Sequence, residues 1–382
     1  MKKWQLFVLI VIGMVSIAGC GNNAGEVTDP EEATVSDLSA YPEPEDTTVT
    51  VEGTIPAANG HTSSYGVERE RKDGQVRSYL TGKWVDESIG DRRPVAVMLN
   101  NIKEAQPMTG VSMADVIYEC VVEGSLTRMM GIFENYDDLD KIGSVRSCRN
   151  YFVYYALEFD AVYAHYGQSA YAKPLLDMEY VNNLSGLSGI GGTVFYRTTD
   201  RVAPHNAYAS GKGINAGIKK LGYRTGYSEK YKGKFTFAND NETIQPDGTD
   251  SFTAKLVKPG YLINQPWFEY NETDGKYYRF QYGDKQIDDM NDVQLSIDNI
   301  ILQYSSWEEA DNNGYLGFDC HAGGEMVYIT KGKAEKGSWI RYDGDEGSVR
   351  YYDSQGYEII LNQGKTWVCI IQDTFGDKVE IN

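Results

Sequence analysis

Basic charge is what this sequence most lacks: 36 Lys and Arg stand against 55 Asp and Glu, leaving a formal charge of −19. That balance excludes a nucleic-acid-binding role, because neutralising a phosphate backbone needs a basic surface. An anionic wall polymer would be repelled on average, so any anion site has to be a local basic pocket. Histidine is scarce, at four residues, and one of them, His61, lies in an acidic N-terminal stretch. Familiar catalytic signatures are missing too. There is no Gly-x-Ser-x-Gly elbow and no Ser-x-x-Lys with its partner motifs. The glycine-rich stretch 189–192 lacks the Lys-Ser/Thr of a phosphate loop. No cysteine spacing resembles a zinc site. Nothing therefore implies a metal or a cofactor.

The start of the chain carries more information. Lys2 and Lys3 precede an apolar run, Leu6–Val15, and then small residues. This is the layout of a secretory leader. The run is too short for a mature membrane-spanning helix, which needs about 20 apolar residues. Ile17, Ala18 and Gly19 lead directly into Cys20. This tetrapeptide resembles the lipobox of bacterial lipoproteins, which implies cleavage after residue 19 and diacylation (diacylglycerol, palmitate) of the Cys20 thiol. Two acyl chains anchor stably where one is marginal. The expectation is a lipid anchor at the extracytoplasmic face of the cell membrane.

From Gly21 to Gly66 there are nine carboxylates and no Lys or Arg. Such a stretch cannot bury enough apolar surface to offset its ordering entropy. Residues 20–71 are expected to be a disordered acidic tether. The remaining 300 or so residues exceed what one core usually organises, about 250 to 300. Two domains are expected, 72–245 and 246–382.

The first domain mixes strand and helix patterns. Arg93–Leu99, Asp115–Val122, Thr127–Phe133, Ile142–Val145 and Ala161–Tyr166 read as strands. Tyr151–Phe159 has helical spacing, and Ser210–Leu221 is a helix with Ser210 as cap and Gly222 as stop. Gly186–Gly192 reads as a loop. Phe237–Pro259 is polar and marks the junction. Beyond it come short runs at 277–282, 297–304, 325–330, 338–342, 348–352, 357–361 and 366–371. Glycine dipeptides such as Lys331-Gly332 and Asp343-Gly344 separate several of them. This is the pattern of an antiparallel meander. The fold class is α+β, with a mixed α/β N-terminal domain and a mostly antiparallel β C-terminal domain. Asp284, Asp288, Asp289 and Asp292 lack calcium-loop spacing and read as a solvated acidic turn.

Four cysteines besides Cys20 are candidates for disulfides outside the cytosol. Pairing within each half would join Cys120 to Cys148 and Cys320 to Cys369. Four buried free thiols are the alternative, since each sits beside apolar residues.

Several stretches together resemble a known family. They are Arg93–Asn101, Ala114–Glu119, Val122–Gly124 followed by Thr127 and Arg128, Gly143–Arg149, Asp160–His165, Arg197–Arg201, Pro204–Asn206 and Gly364–Trp367. As an ordered set they resemble the YerB-like lipoprotein family, whose two domains are of unknown function. The resemblance implies a two-domain α+β architecture and a lipid anchor, and no established activity. The chain departs from that pattern at Gln168, where the family has Gly, and at Gln286, where it has His.

The candidate site is a basic cluster: Arg128, Arg146, Arg149, His165, Arg201, His205 and Asn206. Arg146 and Arg149 flank Ser147 and Cys148 where a strand gives way to a helix, and guanidinium forks suit phosphate or carboxylate. The plainer reading pairs these arginines with Asp115, Glu119, Glu123, Glu158 and Asp160. Three functions are open. One is a non-enzymatic envelope factor that binds a wall polymer or a wall-assembly protein. Another is an enzyme on anionic wall precursors, with the arginines as clamp and His165 or His205 as proton carrier. The last is the ligand-binding component of an uptake system.

Overall fold

The computed structural model describes residue 63, residues 67–248 and residues 250–382. The leader, Cys20 and most of the expected tether lie outside these. Two observations move the tether's expected end at residue 71 toward the N-terminus. Ser63 is buried. Arg69 donates to the Gly90 carbonyl at 2.8 Å and to Asp91 at 2.8 Å, and its guanidinium lies 3.9 Å from the Tyr79 ring centre. An arginine held by a carboxylate, a carbonyl and an aromatic face belongs to the body.

The N-terminal half supplies strands β1 (Val95–Leu99), β2 (Val116–Val121) and β3 (Thr127–Phe133). Every residue of all three is buried. After β4 (Ile142–Gly143) come helix α1 (Asn150–Leu157), β5 (Val162–His165) and β6 (Asn183–Ser185). Next are β7 (Phe195–Arg197), β8 (Ala207–Ala209) and helix α2 (Gly211–Leu221). As expected, Ser210 Oγ accepts from the Gly213 N–H at 3.1 Å, and Gly222 ends α2 at φ 69°. Gly211 packs so closely that a Cβ there would meet the Tyr136 carbonyl at 1.8 Å. The stretch expected as a loop, 186–192, runs into a helical turn at Gly191–Val194.

The C-terminal half supplies β9 (Leu256–Lys258), β10 (Trp267–Asn271) and β11 (Lys276–Gln281), which pair antiparallel in a smaller sheet. It then adds β12 (Asn299–Ser305), β13 (Gly324–Thr330), β14 (Lys333–Arg341), β15 (Val349–Asp353) and β16 (Thr366–Gln372). The β13–β14–β15 meander is antiparallel, as its glycine turns predict. Lys331 and Gly332 take φ 49° and 76°, the twist a tight hairpin requires.

The antiparallel expectation fails at β16. It pairs parallel with β12 on one side and parallel with β2 of the other half on the second, with Val368 opposite Tyr118. The two halves thus share one eleven-stranded sheet among the described residues. Its main path runs from Phe252–Thr253 through β14, β13, β12, β16, β2, β3, β1 and β5 to β6, with β15 against β14. The cause lies in the strands: β2 and β16 are buried along their whole length, so neither tolerates being an edge. One hydrophobic cluster spans both halves.

Buried charges cross the same seam. Glu158, just past α1, is fully buried and bonds Lys234 Nζ at 2.5 Å, Tyr118 OH at 2.6 Å and Arg341 Nη2. Asp288 does not sit in a solvated turn. It is buried and accepts from the Gly110 N–H at 2.8 Å and the Ser112 N–H at 2.6 Å.

Of the two readings open for the cysteines, the structure has the free thiols: Cys120, Cys148, Cys320 and Cys369 are all unbonded and buried, and neither Cys120–Cys148 nor Cys320–Cys369 is formed. Cys369 pairs in register with Glu119, which places it on the opposite sheet face from Cys120. Burial pushes the Cys148 and Cys320 thiols up to about 12. Among the described residues no helix is long and apolar enough to cross a membrane.

Candidate functional site

The parallel strands β1 and β5 end side by side, and the chain from Ser144 to Cys148 crosses over their carboxyl ends. Arg146 N–H donates to Met98 O of β1, and Tyr166 N–H, just past β5, donates to Arg146 O. Cys148 N–H donates to Gly167 O at 2.9 Å, and Ser169 N–H to Cys148 O at 3.1 Å. The crossing segment then turns into α1, with Arg149 as the residue before its first turn. Carboxyl ends of parallel strands are where α/β sheets place their ligand crevices. The sequence-predicted residues Arg128, Arg146, Arg149 and His165 all lie on or beside this crossing.

Their side chains are mostly committed. Arg149 grips Glu123 with both Nε and Nη2, at 2.6 and 2.5 Å, and bonds the Cys148 carbonyl at 2.9 Å. Its side chain is only 2% exposed. Arg128 is buried on β3 and donates to Ser147 O at 2.7 Å. Arg146 is buried as well. The structural pairing of Arg149 with Glu123, one of the acidic partners named from sequence, is realised.

His165 faces inward. It is fully buried and stacked on Tyr163. Nδ1 lies 2.8 Å from Gly167 O and Nε2 lies 3.3 Å from Asn183 Oδ1. Burial depresses its pKa, so the ring is neutral near pH 7, and the shorter contact assigns the proton to Nδ1. His205 is half-buried on the other side of the crossing. Asn100 Oδ1 accepts from the Ile102 N–H at 3.3 Å, which turns its Nδ2 toward His205 Nδ1 at 3.0 Å. His205 Nδ1 is therefore an acceptor there.

Arg201 and Asn206 hold a loop. Arg201 bonds the carbonyls of Ala105 and Pro107. Asn206 Nδ2 donates to Thr198 O at 2.7 Å, and its Oδ1 accepts from Arg197 at 2.8 Å. At the tip between them Val202 is 81% exposed. Arg197 also stacks on Tyr166, 4.5 Å from the ring centre. The cluster thus divides into a buried basic floor, an inward histidine and a tied loop with an apolar tip. Sequence reading missed Asn100, Tyr166 and Asn183 as partners. Asn100 stood in one of the family-like stretches, whereas nothing local marked the other two.

The groups that could act as nucleophiles have structural tasks. Ser169 Oγ accepts from the Ala172 N–H at 3.2 Å. Ser147 Oγ donates to Tyr166 O at 3.4 Å, and the Cys148 thiol donates to Arg149 O at 3.3 Å. No group of three or more His, Cys, Asp or Glu able to hold a metal occurs among the described residues.

Comparison with known proteins adds the following. Residues 80–224 match the model described as "Protein of unknown function (DUF3048) N-terminal domain", and residues 257–368 match the corresponding C-terminal domain. A Bacillus subtilis protein named "Putative lipoprotein YerB" is 28% identical over 307 residues, which span 78% of this chain and 87% of that protein. A crystal structure of YerB protein from Bacillus subtilis is similar at a TM-score of 0.70 and 27% identity, over 80% of this chain and 99% of that chain.

Proposed function

Since this chain belongs to the YerB-like family, whose two domains are of unknown function, we propose that it is a lipid-anchored envelope protein. It acts without catalysis, as a binding or assembly factor for a wall polymer or a wall-assembly protein. Cys20 carries the diacylglycerol and the body stands at the outer face of the membrane.

One observation carries the non-catalytic reading: the nucleophile candidates of the basic cluster and His165, one of its two proton-carrier candidates, hold the backbone in place. His165 is fully buried with Nδ1 bonded to the Gly167 carbonyl, and Cys148 is a buried thiol. An enzyme using His165 would have to dismantle its own strand packing. A two-lobed uptake receptor fits poorly as well, because β16 and β2 bind the halves into one sheet. The binding face in this reading is the loop 197–206, basic at Arg197 and Arg201 and apolar at Val202.

The test is a photo-crosslinkable residue at position 202 in intact cells, beside the same residue at the exposed position 357 of the C-terminal half. Recovery of one envelope protein or of wall fragments from position 202 alone supports the proposal. Equal yields from both positions, with no binding of purified wall fragments to the body, argue against it. Cys20→Ala is expected to release the protein from the membrane fraction, and retention of that variant would remove the anchor from the account.

A further inference from the structure

Glu119, in the middle of β2, is fully buried and accepts four hydrogen bonds. Oε1 takes Asn101 Nδ2, Thr127 Oγ1 and Asn264 Nδ2, each at 2.9 Å, and Oε2 takes Arg279 Nη2 at 2.6 Å. The network extends outward. Asn264 Nδ2 also reaches Gln281 Oε1 at 3.2 Å, and Arg279 Nε reaches Gln286 Oε1 at 3.3 Å. The guanidinium lies 4.5 Å from the centre of the Trp367 ring.

Asn101, Asn264, Arg279, Gln281 and Gln286 each bond within this network and leave another atom without a protein partner among the described residues, and Trp367 adds its indole N–H. The orphans are Asn101 Oδ1, Asn264 Oδ1, Arg279 Nη1, Gln281 Nε2, Gln286 Nε2 and Trp367 Nε1. All six residues are at most 4% exposed. Turning the asparagine amides over would not help. Asn101 Nδ2 already serves Glu119 and Thr127, and the reversed amide would face a carboxylate with an oxygen. Leaving several such atoms unpaired in one place would cost a free energy comparable to the whole stability of a domain.

We infer that the Glu119–Arg279 knot, at the seam between the two halves, is a built hydration site that holds ordered water as part of the fold. The orphan set selects the ligand. An anion would satisfy the four donors and meet two amide oxygens and the Glu119 charge with repulsion. A cation would suit the oxygens and face a guanidinium. Water donates and accepts, and it serves both kinds of atom.

The experiment is a crystal structure of this protein, grown in parallel with bromide, at a resolution that shows ordered water. Oxygen-17 relaxation dispersion would count long-lived internal waters in solution. Expected is at least one water within hydrogen-bond distance of Asn101 or Asn264 Oδ1 and of Arg279 Nη1. The long-lived count should fall by one or more in Gln281→Met, and Gln286→Met serves if that variant folds poorly. An anomalous bromide peak at the site would overturn the inference. So would a map in which the amides pair directly with the guanidinium, or a water count unchanged in both variants.

Discussion

Arg279 Nη2 lies 2.6 Å from Glu119 Oε2, and this ion pair, out of reach of solvent, joins residues 160 positions apart. The arginine belongs to the smaller C-terminal sheet and the carboxylate to β2, the strand of the N-terminal half that lies against β16. A second such knot, Glu158 with Lys234 and Arg341, repeats the arrangement farther along the seam. Such buried pairs cost much desolvation, so their contribution is to register more than to net stability.

Removing one partner should therefore hurt more than removing both. Arg279→Met is expected to destabilise by about 3–5 kcal/mol, because Glu119 is left charged and buried. Arg279→Met with Glu119→Gln should recover part of the loss. Urea denaturation of the parent, of each single variant and of the double variant measures this. A double variant that is less stable than the parent by the full sum of the two single effects would refute the coupling.

Stability should rise as pH falls from 8 to 6.5, below which the depressed His165 acts in the opposite direction. Glu134 is buried beside Asp115, and its carboxyl is pushed up to about 7, with burial as the first cause. A raised carboxyl pKa favours the neutral form in the folded state. Its stabilising effect is complete below the ordinary value of 4.5 and disappears as pH rises through 7. Glu335, also raised to about 7 by burial, acts in the same direction. Lys234, lowered to about 8, works in a separate window between 8 and 10.5, where rising pH adds stability. Melting temperatures across pH 6.5–8 should slope downward, and Glu134→Gln should flatten the slope. An unchanged slope in that variant would exclude Glu134 as its source.

The four body thiols should resist alkylation in the native protein. Burial holds Cys148 and Cys320 near 12, far from the thiolate form that reacts. Iodoacetamide followed by intact-mass measurement should show no body adduct in buffer and four in denaturant. A mass two or four units low before any reagent is added would reveal disulfides instead.

Ser210→Ala should cost about 1 kcal/mol, the usual value for losing an N-cap acceptor. Gly211→Ala should cost more, because its Cβ would collide with the Tyr136 carbonyl. Thermal melts of the two single variants rank them. A Ser210 variant as unstable as the Gly211 variant would mean that the cap holds more than one N–H.

The chain's own order of residues determined the local features. Apolar runs marked β1, β2 and β3, Ser210 and Gly222 bracketed α2, and glycine dipeptides placed the β13–β14–β15 turns. These follow from steric and hydrogen-bonding preferences that act within a few residues. Tertiary structure alone decided that β16 lies against β2, that Arg149 spends itself on Glu123, that His165 turns inward, and that Cys120 and Cys369 sit on opposite faces. Strand partner, burial and charge pairing depend on groups far apart in the chain that meet only when the core closes, and no local periodicity carries that information.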